Sequence, residues 1–210
     1  MKKVNKQNPA GELLIHQPHS GYRFAEDSVL LSDFIEINSQ EYLLDLCSGV
    51  GVIPLLLQKR CAFKGAIGVE LQEELCQLAL DNAAMNKLGG LIHFVRADVR
   101  NLTASVLQAE IPFECPDYFD VISVNPPYFQ SGKGRLSPNP QRSVARHEIC
   151  LSLPELFQTC HRFLRNEGRL YLVHLLAREA EIIRELRGQG FKKIARRVVH
   201  ANLLFIETHR

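Results

Sequence analysis

Asn125-Pro126-Pro127-Tyr128 follows an apolar run, Phe119-Asp120-Val121-Ile122-Ser123-Val124, and is itself followed by Phe129. Two consecutive prolines hold the backbone and remove two amide donors. The carbonyl of Pro126 and the side-chain oxygen of Asn125 are left as outward-facing acceptors. An exocyclic amino group has two N–H donors to offer such a pair. Accepting both draws its nitrogen out of plane and concentrates the lone pair toward an incoming methyl group. Tyr128 supplies a flat face for an extruded base, a contact worth roughly 1–3 kcal/mol per base in single-strand binders. Transfer of this kind needs no covalent intermediate, because rate comes from proximity and orientation. Residues 125–128 are therefore the candidate catalytic group. A rigid turn that merely caps a strand is the plainer reading of the same four residues.

A second constellation is Asp45-Leu46-Cys47-Ser48-Gly49-Val50-Gly51, an acid at a strand end and two glycines before a helix. Glycine at such a turn lets the backbone approach a ligand at the carboxyl end of a sheet. The dinucleotide fingerprint G-x-G-x-x-G fails, since Pro54 stands at its sixth position, so nicotinamide and flavin cofactors are disfavoured. No Gly-Lys-Ser/Thr follows, which excludes a P-loop. Glu70 ends the next strand, about twenty residues on, where a carboxylate accepts both hydroxyls of a ribose. Asp98 ends the third strand, and alone it reads equally well as a helix cap.

These side chains need a scaffold that brings strand ends together. Short β-branched and leucine-rich runs at 42–46, 66–70, 93–97, 119–124 and 169–174 alternate with helical patterns at 52–60, 72–85, 102–110 and 154–164. That is the signature of βαβ units and a parallel sheet. Ser152 and Glu155 are spaced as a capping box and Gly168 as a stop for the last of these helices. A helix at 177–188 precedes two strand-like runs, 192–200 and 203–208, joined by Ala201-Asn202. So short a link permits only an antiparallel pair. The expected fold is α/β and Rossmann-like, a mostly parallel seven-stranded sheet ending in an antiparallel hairpin with helices on both faces. The leader 1–21 and the segment 129–147 read as neither strand nor helix, and loops of that length are commonly functional.

With 210 residues, 46% of them apolar, the chain is long enough for one well-buried domain: a leader and cofactor-covering helix over 1–40 and a core over 41–210. Lys and Arg number 25 against 23 Asp and Glu, which excludes a partner dictated by net charge. Six cysteines without a C-x-x-C pair argue against a zinc site and a disulfide scaffold, and no other metal is called for. No apolar run reaches membrane-spanning length, so a soluble, cytoplasmic protein with no membrane partner is expected.

The chain resembles the N6-adenine methyltransferases with an Asn-Pro-Pro-Tyr motif, and more closely the bacterial family that methylates the adenine beside the anticodon of a valine tRNA. The resemblance covers nearly the whole chain. It rests on Gly21-Tyr22-Arg23-Phe24-Ala25-Glu26-Asp27-Ser28-Val29-Leu30-Leu31, the loop from Asp45 to Gly51, the site from Asn125 to Phe129, and Ala145-Arg146-His147-Glu148. It implies S-adenosyl-L-methionine as cofactor, with Asp45, Gly49 and Gly51 against its methionine part, Glu70 on its ribose and Asp98 beside its adenine. It places residues 125–128 on the target base and the segment around Asp27 over the cofactor, although Asp27 also suits the N-cap of a helix beginning at Ser28. Cys47 stands where many methyltransferases have a first glycine.

An RNA substrate, tRNA first, calls for local basic groups. Phe129, Lys133, Arg135, Arg142, Arg146 and His147 lie next to the proposed pocket and are the candidate substrate-binding residues. Arg146 and His147 also suit a solvated loop. Lys192, Lys193, Arg196 and Arg197 form a second basic group, which also suits a strand edge protected from aggregation. Three rivals keep the same motif in play: guanine N2-methylation of ribosomal RNA, glutamine N5-methylation of a protein, and a non-catalytic RNA-binding module. The glutamine family carries a further helical domain before the fold, where residues 1–40 alone are expected here.

Overall fold

A computed structural model describes residues 2–4, 13–18, 23–109, 111, 115–128, 151–199 and 202–210. The chain order opens with β1 (Lys2–Val4), β2 (Leu13–Ile15), α1 (Glu26–Phe34), β3 (Tyr42–Leu46), α2 (Val52–Cys61), β4 (Gly65–Glu70), α3 (Glu73–Met85) and β5 (Ile92–Arg96). It continues with α4 (Ala104–Ala109), β6 (Phe119–Val124), α5 (Leu153–Phe163), β7 (Leu164–Leu175), α6 (Glu179–Gly188), β8 (Lys192–Val199) and β9 (Leu203–His209). The main sheet has seven strands in the order β5-β4-β3-β6-β7-β9-β8. β9 runs antiparallel to both neighbours and the other pairings are parallel, as expected.

Alternation along each strand builds two apolar layers. Leu43, Val121, Tyr171, Val173 and Phe205 face α1, α2 and α3, whereas Leu44, Leu46, Ile122, Leu170 and Ile206 face α4, α5 and α6. Each fully buried leucine, isoleucine or phenylalanine of these layers is worth about 1.5–3 kcal/mol over leaving it exposed. Neighbouring strands β3 and β6 are where the chain order reverses, so the loops after them open into one crevice at the carboxyl edge of the sheet.

Four expectations are corrected. The leader is not wholly irregular: β1 pairs antiparallel with β2. β2 is held to α3 by two asparagines one helical turn apart. Asn86 exchanges hydrogen bonds with the Leu14 backbone (3.0 and 2.7 Å), and Asn82 does so with His16 (2.7 and 3.0 Å). Each carboxamide takes the place of a partner strand, so Leu13 and Ile15 are buried without a long hydrophobic run.

The expected helix at 102–110 is the short α4, which begins only at Ala104, with Thr103 Oγ1 accepting the Val106 amide (3.2 Å), and a 3₁₀ turn, Val99–Asn101, capped by Asp98 through the Arg100 amide, precedes it. The last helix likewise begins at Glu179, after a 3₁₀ turn Leu176–Arg178. Gly168 does not stop α5, which ends at Phe163 and passes directly into β7. Glycine is required at 168 by close packing, since a Cβ there would lie 2.8 Å from the Leu164 side chain where β7 shifts register against β6. The Ser152 and Glu155 signal holds, with the Glu155 carboxylate accepting the Ser152 amide (2.9 Å) and hydroxyl (2.7 Å).

Candidate functional site

The acidic half of the crevice grows from β3 and β4. Asp45 is fully buried, opposite Gly68 on one side and Ser123 on the other. It accepts the hydroxyls of Ser123 (2.5 Å) and Ser48. Glu70 is 7% exposed, and its two oxygens accept the amides of Gly49 (2.9 Å) and Gln72 (2.8 Å). Burial pushes both carboxyls up to about 7, against the lowering effect of those hydrogen bonds. Neither has a cationic partner among the described residues.

The loop between them needs left-handed backbone at Cys47 (φ 61°), Gly49 (φ 57°) and Gly51 (φ 80°). At Gly51 a Cβ would also come within 2.5 Å of Phe94 Cζ, and one at Gly68 would overlap Phe94 and the Ser48 hydroxyl. Cys47 takes the same conformation with a side chain, and burial together with the charges of Glu70 and Asp45 holds its thiol well above the ordinary range. Asp98 lies at the end of β5, but its carboxylate is engaged by Arg100, which it meets with both oxygens (3.0, 3.0 and 2.6 Å). That contact lowers its pKa. Asp98 also caps the 3₁₀ turn Val99–Asn101 through the Arg100 amide.

This donor set fits S-adenosylmethionine. Two buried carboxylates with no fixed counter-charge suit a cationic ligand, and each Glu70 oxygen keeps a second lone pair for a ribose hydroxyl.

The second half forms where β6 ends beside α1. Asn125 donates through Nδ2 to the Ser28 hydroxyl (2.8 Å) and accepts the Tyr128 hydroxyl at Oδ1 (2.7 Å). Tyr128 also lies 2.7 Å from Asp27 Oδ2. The Asn125 oxygen thus does not simply face outward, as expected from sequence, but meets a tyrosine hydroxyl. Asp27 is not the N-cap of α1; Ala25 holds that position, and Asp27 lies within the first turn, where its Oδ1 accepts the Ser28 amide (2.7 Å). The Tyr128 ring packs on His174 at the end of β7, with centroids 5.1 Å apart and planes at 48°. Burial, then Arg178, pushes the His174 imidazole down to about 3, keeping it neutral. Arg178 grips Glu181 at 2.9 and 2.8 Å and reaches the Tyr128 carbonyl at 3.4 Å.

The fold therefore brings Asp27, Asp45, Cys47, Gly49, Gly51, Glu70, Asn125, Pro126, Pro127 and Tyr128 to one edge of the sheet. Phe129, Lys133, Arg135, Arg142, Arg146 and His147 lie outside the described residues. Sequence reasoning missed Ser28, Ser48, Ser123, His174 and Arg178. His174 carried a readable signal, a polar residue ending an otherwise apolar strand. The hydroxyls carried none, since each meets a partner distant in sequence or hidden in a turn. Among the described residues no group of His, Cys, Asp or Glu is arranged to hold a metal. No helix there is long and apolar enough to cross a membrane.

No family model matches the chain. It is 29% identical over 184 residues to the tRNA1(Val) (adenine(37)-N6)-methyltransferase of Tolumonas auensis, covering 87% of this chain and 71% of that protein. It is 27% identical over 177 residues to the enzyme of the same name from Vibrio campbellii, covering 84% and 69%. In structure it matches a predicted O-methyltransferase from Agrobacterium tumefaciens with a TM-score of 0.65 at 18% identity, covering 87% of this chain and 80% of the other. The fold is that of the Rossmann-like methyltransferases, and the resemblance expected from the motifs extends over most of the chain.

Proposed function

We propose that this chain is an S-adenosylmethionine-dependent methyltransferase that modifies N6 of an adenine in tRNA near the anticodon, acting in the cytoplasm as a single domain. The observation that carries the reading is the junction of two half-sites. Asn125 to Tyr128 end β6 directly beside the glycine loop that ends β3, so an amino acceptor and a buried acidic pocket share one crevice. The curated relatives named for adenine-37 of tRNA1(Val) favour adenine over guanine or a protein amide.

When bound, S-adenosylmethionine supplies an already activated methyl group. The chain's own residues do the rest. Asp45, Glu70 and the loop of Cys47, Gly49 and Gly51 hold the cofactor, and their carboxylates balance its positive charge. Asn125 Oδ1 and the Pro126 carbonyl accept the N–H bonds of the target amino group and turn its lone pair toward the crevice. Tyr128, whose ring packs against His174, stacks on the base. The amine proton leaves after transfer, so no general base is required.

The test is incubation with labelled S-adenosylmethionine and separate pools of tRNA, ribosomal RNA, DNA and release factor, followed by nucleoside and peptide analysis. N6-methyladenosine in tRNA is expected, lost in Asn125→Ala while cofactor affinity stays within about twofold. Label in N2-methylguanine or in glutamine, or full turnover by Asn125→Ala, overturns the assignment.

A further inference from the structure

A carboxamide is nearly symmetric in shape, yet only one of its two orientations presents an acceptor to an amino group. The reversed orientation would set N–H against N–H. Something must hold Asn125 the right way round before the base arrives. Its Nδ2 donates to Ser28 Oγ at 2.8 Å, and Ser28 is 4% exposed. The Ser28 hydroxyl in turn faces Asp27 Oδ1 at 3.4 Å. A carboxylate only accepts, so Asp27 draws the serine proton and leaves the serine lone pair for Asn125. Direction in the chain thus begins at Asp27 and ends at Asn125 Oδ1, the oxygen that meets the Tyr128 hydroxyl.

Among the described residues the Tyr128 hydroxyl, with its one proton, meets two acceptors at equal distance, Asn125 Oδ1 and Asp27 Oδ2, both at 2.7 Å. While it points at Asn125 it competes with an incoming amino group. Turning it to Asp27 gives up a neutral hydrogen bond for a charge-assisted one, which is the stronger kind. The ring stays against His174, so only the hydroxyl torsion changes. A helix-dipole role for an acid in the first turn of α1 accounts for Asp27 Oδ1 on the Ser28 amide. It leaves unexplained the reach of Oδ2 to Tyr128, which lies 101 residues away in sequence.

We infer that Ser28 is a positioning residue that fixes the orientation of the Asn125 carboxamide, and that Asp27 holds the Tyr128 hydroxyl so that Asn125 Oδ1 stays open to an amino-bearing base. This rests on the methyltransferase reading above. The experiment first identifies the adenine that the wild-type protein labels in a tRNA transcript. Failure to label any RNA removes that reading and this inference together. With the position known, two synthetic hairpins of that loop are compared, one carrying adenosine and one purine riboside, which lacks the amino group. One net hydrogen bond corresponds to a preference for adenosine of roughly fivefold in Kd for the wild type.

Ser28→Ala should bring that preference close to one and lower kcat roughly 30-fold, with KM for S-adenosylmethionine within about twofold. Ser28→Thr, which keeps the hydroxyl, should restore both, and Asp27→Asn should weaken the preference as Ser28→Ala does. A Ser28→Ala protein that keeps its preference and kcat overturns the inference with the methyltransferase reading intact. So does a Ser28→Thr protein no better than Ser28→Ala, because a merely structural serine would change stability and leave base discrimination alone.

Discussion

Glu70 accepts the amide of Gly49 at 2.9 Å, so the acid ending β4 is tied to the loop ending β3. Burial holds this carboxyl near 7 in the free protein, whereas a ribose-binding, cation-facing carboxylate must be ionised. Affinity for S-adenosylmethionine should therefore fall as pH drops from 8 to 6, and binding in that window should release protons. Calorimetry in buffers of differing ionisation enthalpy measures the release directly. Glu70→Gln should weaken binding by about tenfold, roughly 1.4 kcal/mol. It should also remove about half of the pH dependence, Asp45 supplying the rest; an unaltered proton count would show that Glu70 does not meet the ligand.

The same shifts set the stability of the free protein. Asp45 and Glu70 have folded values near 7 against ordinary values of 3.8 and 4.5. A raised carboxyl contributes stability that is fully present below its unfolded pKa and is lost as pH rises through the folded one. His174, depressed from 6.5 to about 3, works the other way and removes stability as pH falls below 6.5. Between pH 8 and 6.5 the carboxyls act alone, so Tm should rise on acidification. A change on the order of 1 kcal/mol corresponds to about 2–4 °C for a chain of this size. Asp45→Asn should flatten the rise, as scanning calorimetry across that pH range will show.

Edge strand β8 has Lys192 and Arg197 exposed and, among the described residues, without acidic partners, whereas Arg196 pairs with Glu179 and Lys193 with Glu167 (3.5 Å). β8 lies three strands from β6, about 14 Å at the usual spacing. A tRNA seated on the crevice can reach it. Replacing Lys192 and Arg197 together by Gln should weaken tRNA binding and reduce the slope of log Kd against log salt by about 1.4, two single-strand phosphates' worth. Cofactor affinity should not move. An unchanged salt slope would leave these charges as edge protection alone.

The sheet was legible because each buried strand is a compact apolar run with a turn signal after it, and the acids and glycines were legible because chemistry at strand ends leaves fixed spacings. β2 was not, since three residues carry no period, and it is held on one side by β1 and on the other by Asn86 at the end of α3, with Asn82 holding the next residue, His16. Nor were the partners of Asn125. Ser28 is 97 residues away and meets it because α1, packed on α2 and β7, sets its first turn beside the residues that follow β6. Pattern reads what a residue does for its own element, whereas Ser28, His174 and Arg178 act on another.

Asn82 makes the last case testable. Fully buried on α3, it holds His16 of the leader and donates from the same Nδ2 to the Val50 carbonyl (2.9 Å), inside the glycine loop. Asn82→Ala should strand the buried Val50 carbonyl, at about 1–3 kcal/mol, release the part-buried His16 backbone, and lower Tm accordingly. Because the Val50 contact steadies the loop, affinity for S-adenosylmethionine should fall several-fold as well. Asn86→Ala provides the control. It releases Leu14 from α3 without touching Val50, so it should lower Tm and expose the leader to limited proteolysis while cofactor affinity holds. Equal loss of affinity in both variants would mean that the leader strand as a whole, and not Asn82 alone, supports the glycine loop.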